Sequence, residues 1–119
     1  MTKTIHAVDL FCGAGGTLEG LSQTCEDLGY ELDVAAVNHW ETAIETHRRN
    51  HPGDHHVSKV EELHPPDVAD DVDLLIASPE CTHFSVARGG KPVNEQKRAS
   101  PWHVLDWVEK LHPENVLLE

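Results

Sequence analysis

The sequence predicts an open α/β fold, a partial parallel sheet with flanking helices, on three observations. Short apolar runs alternate with helix-length amphipathic segments, the pattern that gives right-handed crossovers between parallel strands. A glycine turn, Gly13-Ala14-Gly15-Gly16, directly follows the first apolar run. A polar loop holding Cys81, Ser78 to Ser85, directly follows another, Asp73 to Ala77. Open α/β sheets place ligands outside the carboxyl ends of their strands, where both of these loops fall.

Each element has a local cause. Ile5 to Phe11 is a β-rich apolar run, broken by the glycines. Thr17 is the expected cap of a helix reaching Leu28, with Leu18, Leu21 and Leu28 at helical spacing and Gly29 as its stop. Leu32 to Val37 reads as a second strand, and Glu41 to Asn50 as a helix ended by His51-Pro52-Gly53. Residues 54–72 are polar, with a short strand near Val57 and one turn of helix. Val72 to Ala77 is the strand before Cys81, ended by Pro79, which holds Ser78 extended. Val86 to Ser100, with Gly89-Gly90 and Pro92, reads as a long mobile loop. Pro101 suits the first turn of a third helix, with Val104, Leu105, Val108 and Leu111 on one face. Asn115 to Leu118 forms a last strand before Glu119.

At 119 residues the chain makes one compact domain, residues 1–119. No apolar run approaches the ~20 residues that span a bilayer, and the amino terminus lacks the apolar core of a signal peptide. Three cysteines (Cys12, Cys25 and Cys81) form no paired framework, which fits free thiols in a reducing cytoplasm. The net charge of −12 argues against a general nucleic-acid binder, but it is uneven. Sixteen of the 21 acids precede Cys81, whereas residues 81–100 carry Arg88, Lys91, Lys97 and Arg98 against Glu95 alone. Such a basic loop can grip a phosphate backbone or stand as a solvated surface. The acid-rich, lysine-poor body also suits a halophile.

The residues support sharp and bland readings side by side. Cys81 is either a nucleophile, tuned by Ser78, Thr82, His83 and Ser85, or a small packed hydrophobe. The glycine turn lets a ligand approach the backbone at a helix amino terminus, but it lacks the G-x-G-x-x-G spacing, since position 18 is Leu. Asn38-His39-Trp40-Glu41 follows the second strand, where a side chain reaches a ribose and an aromatic face covers adenine; the alternative is Trp40 in the core or packed on a helix. His51, Asp54, His55 and His56 match no common ligand spacing. They read as a solvated loop, and no metal is expected.

Taken together, these motifs resemble the cytosine-5 DNA methyltransferases. Asp9-Leu-Phe-Cys-Gly-Ala-Gly-Gly16 is similar to that family's cofactor motif, and Pro79-Glu-Cys-Thr-His-Phe-Ser85 to its nucleophile motif. Pro113-Glu-Asn-Val-Leu-Leu-Glu119 is similar to the stretch entering its Glu-Asn-Val motif. The resemblance implies a Rossmann-like S-adenosylmethionine-dependent methyltransferase fold and transfer of a methyl group to carbon 5 of cytosine. Cys81 would be the nucleophile and Glu119 the catalytic acid; Glu114, at the start of the strand, would be surface. Asp9, Phe11, Cys12, Gly13, Ala14, Gly15, Gly16, Asn38, His39, Trp40 and Pro79 would surround the cofactor. Ser85, Arg88, Lys91, Lys97 and Arg98 would meet double-stranded DNA, whose target cytosine is flipped from the stack.

Three positions depart from the pattern. Glu80 stands at the nucleophile motif's second proline, where a carboxylate raises a neighbouring thiol's pKa. Asn38 stands at the ribose-binding acid, with Glu41 the nearest acid, and Lys59 where a later Asp contacts adenine. The resemblance covers the first part of a complete enzyme. It implies a truncated or naturally split catalytic domain that lacks target recognition, is inactive alone, and has its carboxy-terminal half or a complementary chain as partner. A prokaryotic or viral cytoplasm, with a role in restriction-modification, is the expected setting. The rivals are an RNA cytosine-5 methyltransferase and a non-catalytic module that binds cofactor or a partner.

Overall fold

The computed structural model describes residues 3–13, 15–79 and 100–119. Five parallel strands form one sheet: β1 (Thr4–Leu10), β2 (Glu31–Asn38), β3 (Asp54–Val57), β4 (Leu74–Ala77) and β5 (Asn115–Leu118), in the order β3-β2-β1-β4-β5. The helices are α1 (Gly16–Leu28), α2 (Glu41–Asn50), the single turn α3 (Pro65–Val68) and α4 (Ser100–Leu111), with a 3₁₀ turn over Val60–Glu62. The expected alternation is therefore present. So is the short strand at Val57.

Register explains which side chains share a face. Ala7 pairs with Val34 and Leu74, and Asp9 with Ala36 and Ile76. Because alternate residues share a side, this set lies on one face, where Leu18 and Leu21 of α1 pack on Ala7, Val34, Ala36 and Leu74. The opposite face carries Val8, Leu10, Val37, Leu75 and Ala77. These pack with Val60, Val104 and Trp107, and with the half-buried Val68 and Ala69. Trp107 is the largest fully buried side chain described, and its Nε1–H donates to the Val60 carbonyl at 3.1 Å. Burial on both faces accounts for the unbroken apolar runs of the central strands.

Several local expectations are corrected. Gly15, not Thr17, caps α1, without a side-chain hydrogen bond. The Gly15 N–H bonds the Cys12 carbonyl at 3.2 Å, and its own carbonyl accepts the Glu19 N–H at 2.9 Å. This tight turn starts the helix one residue before Thr17. Cys25 takes the buried position in α1, and Leu28 is exposed. At the helix end, Gly29 is left-handed and Tyr30 N–H reaches the Cys25 carbonyl at 2.8 Å, closing the helix as expected. On α4 the buried stripe is Val104 and Trp107, while Leu105 is 49 % exposed; position 105 lies a third of a turn round from 104, off the stripe. Of the loop expected over residues 86–100, residues 86–99 lie outside the described residues, and Ser100 instead begins α4.

Candidate active site

The sheet reverses its direction of growth between β1 and β4. From β1 the chain steps outward to β2 and β3 over one face, and from β4 to β5 over the other. Such a switch point opens a crevice at the strands' carboxyl ends. Around it stand the glycine turn after β1, Asn38 to Trp40 at the end of β2, Ser78 and Pro79 after β4, and Glu119 after β5. Leu10 is in register with Ala77, and Ser78 N–H donates to the Leu10 carbonyl at 3.3 Å. The turn and the residues leading toward Cys81 are thus hydrogen-bonded neighbours.

The turn's geometry needs its glycines. Gly13 and Gly15 have φ of 54° and 99°, a region L side chains disfavour. Among the described residues a Cβ on Gly13 or Gly16 meets nothing within 4 Å, so none of them closes that side of the turn. At Gly15 the opposite holds: a Cβ would lie 2.9 Å from His51 Cδ2 and 3.0 Å from His47 Cδ2. Phe11, at φ 58°, is half-buried and packs against the main core. Cys12 N–H bonds the Val37 carbonyl at 3.2 Å. Burial, then the nearby Asp9 carboxylate, push the Cys12 thiol pKa up to about 12, so it stays protonated and inert near neutrality.

Asn38 is half-buried, and its Oδ1 accepts the Trp40 N–H at 2.8 Å, a local turn that starts α2. Trp40 itself is 62 % exposed, which rules out the core alternative. His39 and Glu41 are also exposed, and Pro79 is half-buried. Glu119 donates its N–H to the Ala77 carbonyl at 3.0 Å, at the same end of the sheet as Ser78. Glu114 donates to the Val72 carbonyl at 3.2 Å, at the other end. Ala14, Cys81, Ser85, Arg88, Lys91, Lys97 and Arg98 lie outside the described residues.

Asp9 is 3 % exposed and lies on the α1 and α2 face, where its Oδ2 is 3.7 Å from His47 Nε2. His47 had no part in the sequence-based expectation. Its signal was present: it follows Ala43 and Ile44 at helical spacing, on the buried stripe of α2. The solvated-loop expectation for the later histidines is also corrected. His51 is buried beside the Gly15 turn, and Asp54, His55 and His56 form β3, because parallel pairing to Ala35–Val37 draws them into the sheet. Among the described residues no three His, Cys, Asp or Glu side chains assemble to hold a metal. No described helix is long and apolar enough to cross a membrane.

The residues 5–119 match the family model of the C-5 cytosine-specific DNA methylases. The chain belongs to that family. Along 123 aligned residues it is 28% identical to the Type II methyltransferase M.AgeI of Thalassovita gelatinovora, covering 97% of this chain and 27% of that protein. The chain thus spans about a quarter of that relative's length. Among solved structures, S. pombe Dnmt2 methyltransferase matches at TM-score 0.69 and 20% identity, over 98% of this chain and 34% of that one. The plantazolicin methyltransferase BamL, solved with SAH, matches at 0.60 and 13% identity, over 89% and 34%. These likenesses establish the Rossmann-like methyltransferase fold.

S-adenosylmethionine is the cofactor of the C-5 methylases. Two features of this site suit it. The open side of the Gly13–Gly16 turn leaves room for a ligand against the backbone, and the exposed Trp40 indole stands beside a strand end at the same crevice.

Proposed function

We propose that this chain is the amino-terminal part, residues 1–119, of the catalytic domain of a DNA cytosine-5 methyltransferase acting in the cytoplasm. The observation that supports this reading is that the strands leading into three matched motifs end side by side at one crevice. The glycine turn, the residues entering the Cys81 loop, and Glu119 follow three adjacent strands, β1, β4 and β5.

In this reading the turn from Phe11 to Gly16, with Asp9 behind it, holds the cofactor's methionine portion. Asn38, His39 and Trp40 hold its nucleoside, and Pro79 closes one side. When bound, the cofactor supplies an activated methyl group. Carbon 5 of cytosine is a poor nucleophile until a thiolate adds to carbon 6. The Cys81 thiolate would give its electron pair to a new bond at carbon 6, making the ring's double-bond electrons available at carbon 5 to take the methyl carbon as its bond to the cofactor's sulfur breaks. Loss of the carbon 5 proton to solvent would then expel the Cys81 thiolate and restore the ring. The Glu119 carboxyl group, hydrogen-bonded to the ring nitrogen, stabilises charge that develops on addition. Ser85, Arg88, Lys91, Lys97 and Arg98 pair with the phosphates flanking the flipped base.

A partner completes the sheet: the carboxy-terminal part of the enzyme or a complementary chain. The edge strand β5 supports this, because Val116, Leu117 and Leu118 are all exposed, leaving apolar residues uncovered on both of its faces. Transfer of labelled methyl to duplex DNA tests the proposal. The 119 residues alone should transfer none; a form extended by the remaining half should, with Cys81→Ser abolishing transfer and Glu119→Gln lowering it about 10²-fold or more. Transfer that survives Cys81→Ser contradicts the reading.

A further inference from the structure

Asn38, the last residue of β2, is held by both its backbone and its side chain. It stands in register with Val57 of β3, and its carbonyl accepts the Ser58 N–H at 3.0 Å. Its side-chain Oδ1 accepts the Trp40 N–H at 2.8 Å. A backbone N–H only donates, so this bond fixes which way the Asn38 amide faces. The Trp40 carbonyl in turn accepts the Ile44 N–H at 3.2 Å, where α2 begins. Trp40 is thus pinned at both of its backbone groups, in an extended conformation with φ −94° and ψ 112°.

The indole has no comparable support. It is exposed, so few neighbours wall it in, and its place depends on where the Trp40 backbone is set. Asn38 does the setting. A carboxylate at a strand end holds a ribose by accepting hydrogen bonds from its hydroxyls. The Asn38 side chain has one acceptor atom, Oδ1, and Trp40 already engages it. The contact on hand is to Trp40.

We infer that Asn38 is a positioning residue for the cofactor's adenine: its Oδ1 fixes the Trp40 backbone at the end of β2, and with it the indole face that the nucleoside meets. This rests on reading Trp40 as the residue that covers adenine, and it gives Asn38 a part exerted through Trp40. What matters at position 38 is then an oxygen at the right distance. Aspartate supplies it and alanine does not.

Calorimetric binding of S-adenosylhomocysteine to the whole chain tests this through a double-mutant cycle. Wild type should bind, Asn38→Asp no more than about twofold more weakly, and Asn38→Ala about fivefold more weakly. In a Trp40→Ala background, adding Asn38→Ala should change binding by less than about twofold. Additive losses, or no loss in Asn38→Ala, overturn the inference while leaving the cofactor reading intact. No binding by wild type overturns both. Indole N–H resonances give a readout without ligand. Asn38→Ala should move the Trp40 signal and Asn38→Asp restore it, while Trp107, bonded to the Val60 carbonyl, reports that the core is intact. A Trp40 signal that ignores Asn38→Ala overturns the inference. Should Asn38→Ala not fold, Asn38→Gln, which keeps the amide but displaces its oxygen by one methylene, takes its place in both measurements.

Discussion

Ser78 and Leu10 are joined across the switch point of the sheet, the Ser78 N–H donating to the Leu10 carbonyl at 3.3 Å. Three residues beyond Leu10 the chain enters the glycine turn at Gly13, and three beyond Ser78 it reaches Cys81. Through this contact the sheet holds the approach to the glycine turn and the approach to Cys81 side by side.

The two glycines of the turn should respond differently to substitution. Gly15→Ala places a Cβ within 3.0 Å of two histidine rings at φ 99°. We expect a loss of about 2–4 kcal/mol from left-handed strain plus crowding. Gly13→Ala, at φ 54° with open space around it, should cost only about 1 kcal/mol. Urea unfolding of both variants measures the difference; equal losses contradict the packing of His47 and His51 on Gly15.

Trp107 links α4 to the 3₁₀ turn on the face opposite the histidines that back the glycine turn. Trp107→Phe removes the indole donor and leaves the Val60 carbonyl only the longer Leu63 N–H bond at 3.4 Å, which should cost about 0.5–1.5 kcal/mol. Trp107→Ala adds a cavity, for a total of about 3–5 kcal/mol. Midpoints that fall in the order wild type, Phe, Ala bear this out.

Acid should weaken the fold partly through His55. Its pKa is held below 6.5 by burial first and then by His47, against an opposing hydrogen bond from Gly53. The folded state therefore favours neutral His55, and the unfolded chain takes up the proton first as pH falls. Stability from this residue is present above pH about 6.5 and is lost as pH falls through the folded value. His55→Gln should show a smaller drop in unfolding midpoint between pH 7.5 and pH 5.5 than wild type. Parallel drops refute this assignment.

Cys12, in the glycine turn, should be a poor nucleophile. With its pKa at about 12, little thiolate exists at pH 8. Iodoacetamide at that pH should modify Cys12 far more slowly than a free thiol, as peptide mapping will reveal; fast modification contradicts the burial described for this side chain.

Legibility of the fold followed periodicity. The central strands announced themselves because burial on both faces forces unbroken apolar runs, and Gly29 and Pro101 marked helix ends by backbone chemistry alone. Residues 54–56 looked like a polar loop because an edge strand needs no apolar run; its pairing to β2 is a long-range event. His47 was hidden for a related reason. A histidine on a buried helical stripe gains meaning only when Asp9 and Gly15 arrive from other elements. Glu119 and Glu114, by contrast, were separable in advance, because strand direction sends them to opposite ends of β5.

The central claim, that Cys81 adds covalently to cytosine, has a direct measurement. Duplex DNA carrying 5-fluorocytosine at the target position traps the adduct, because fluorine at carbon 5 does not leave as the proton does. With S-adenosylmethionine and the chain joined by its carboxy-terminal half, we predict a denaturation-resistant DNA adduct that peptide mapping assigns to Cys81 and that Cys81→Ser abolishes. Bound cofactor and bound DNA with no adduct, or an adduct at another residue, would contradict the account.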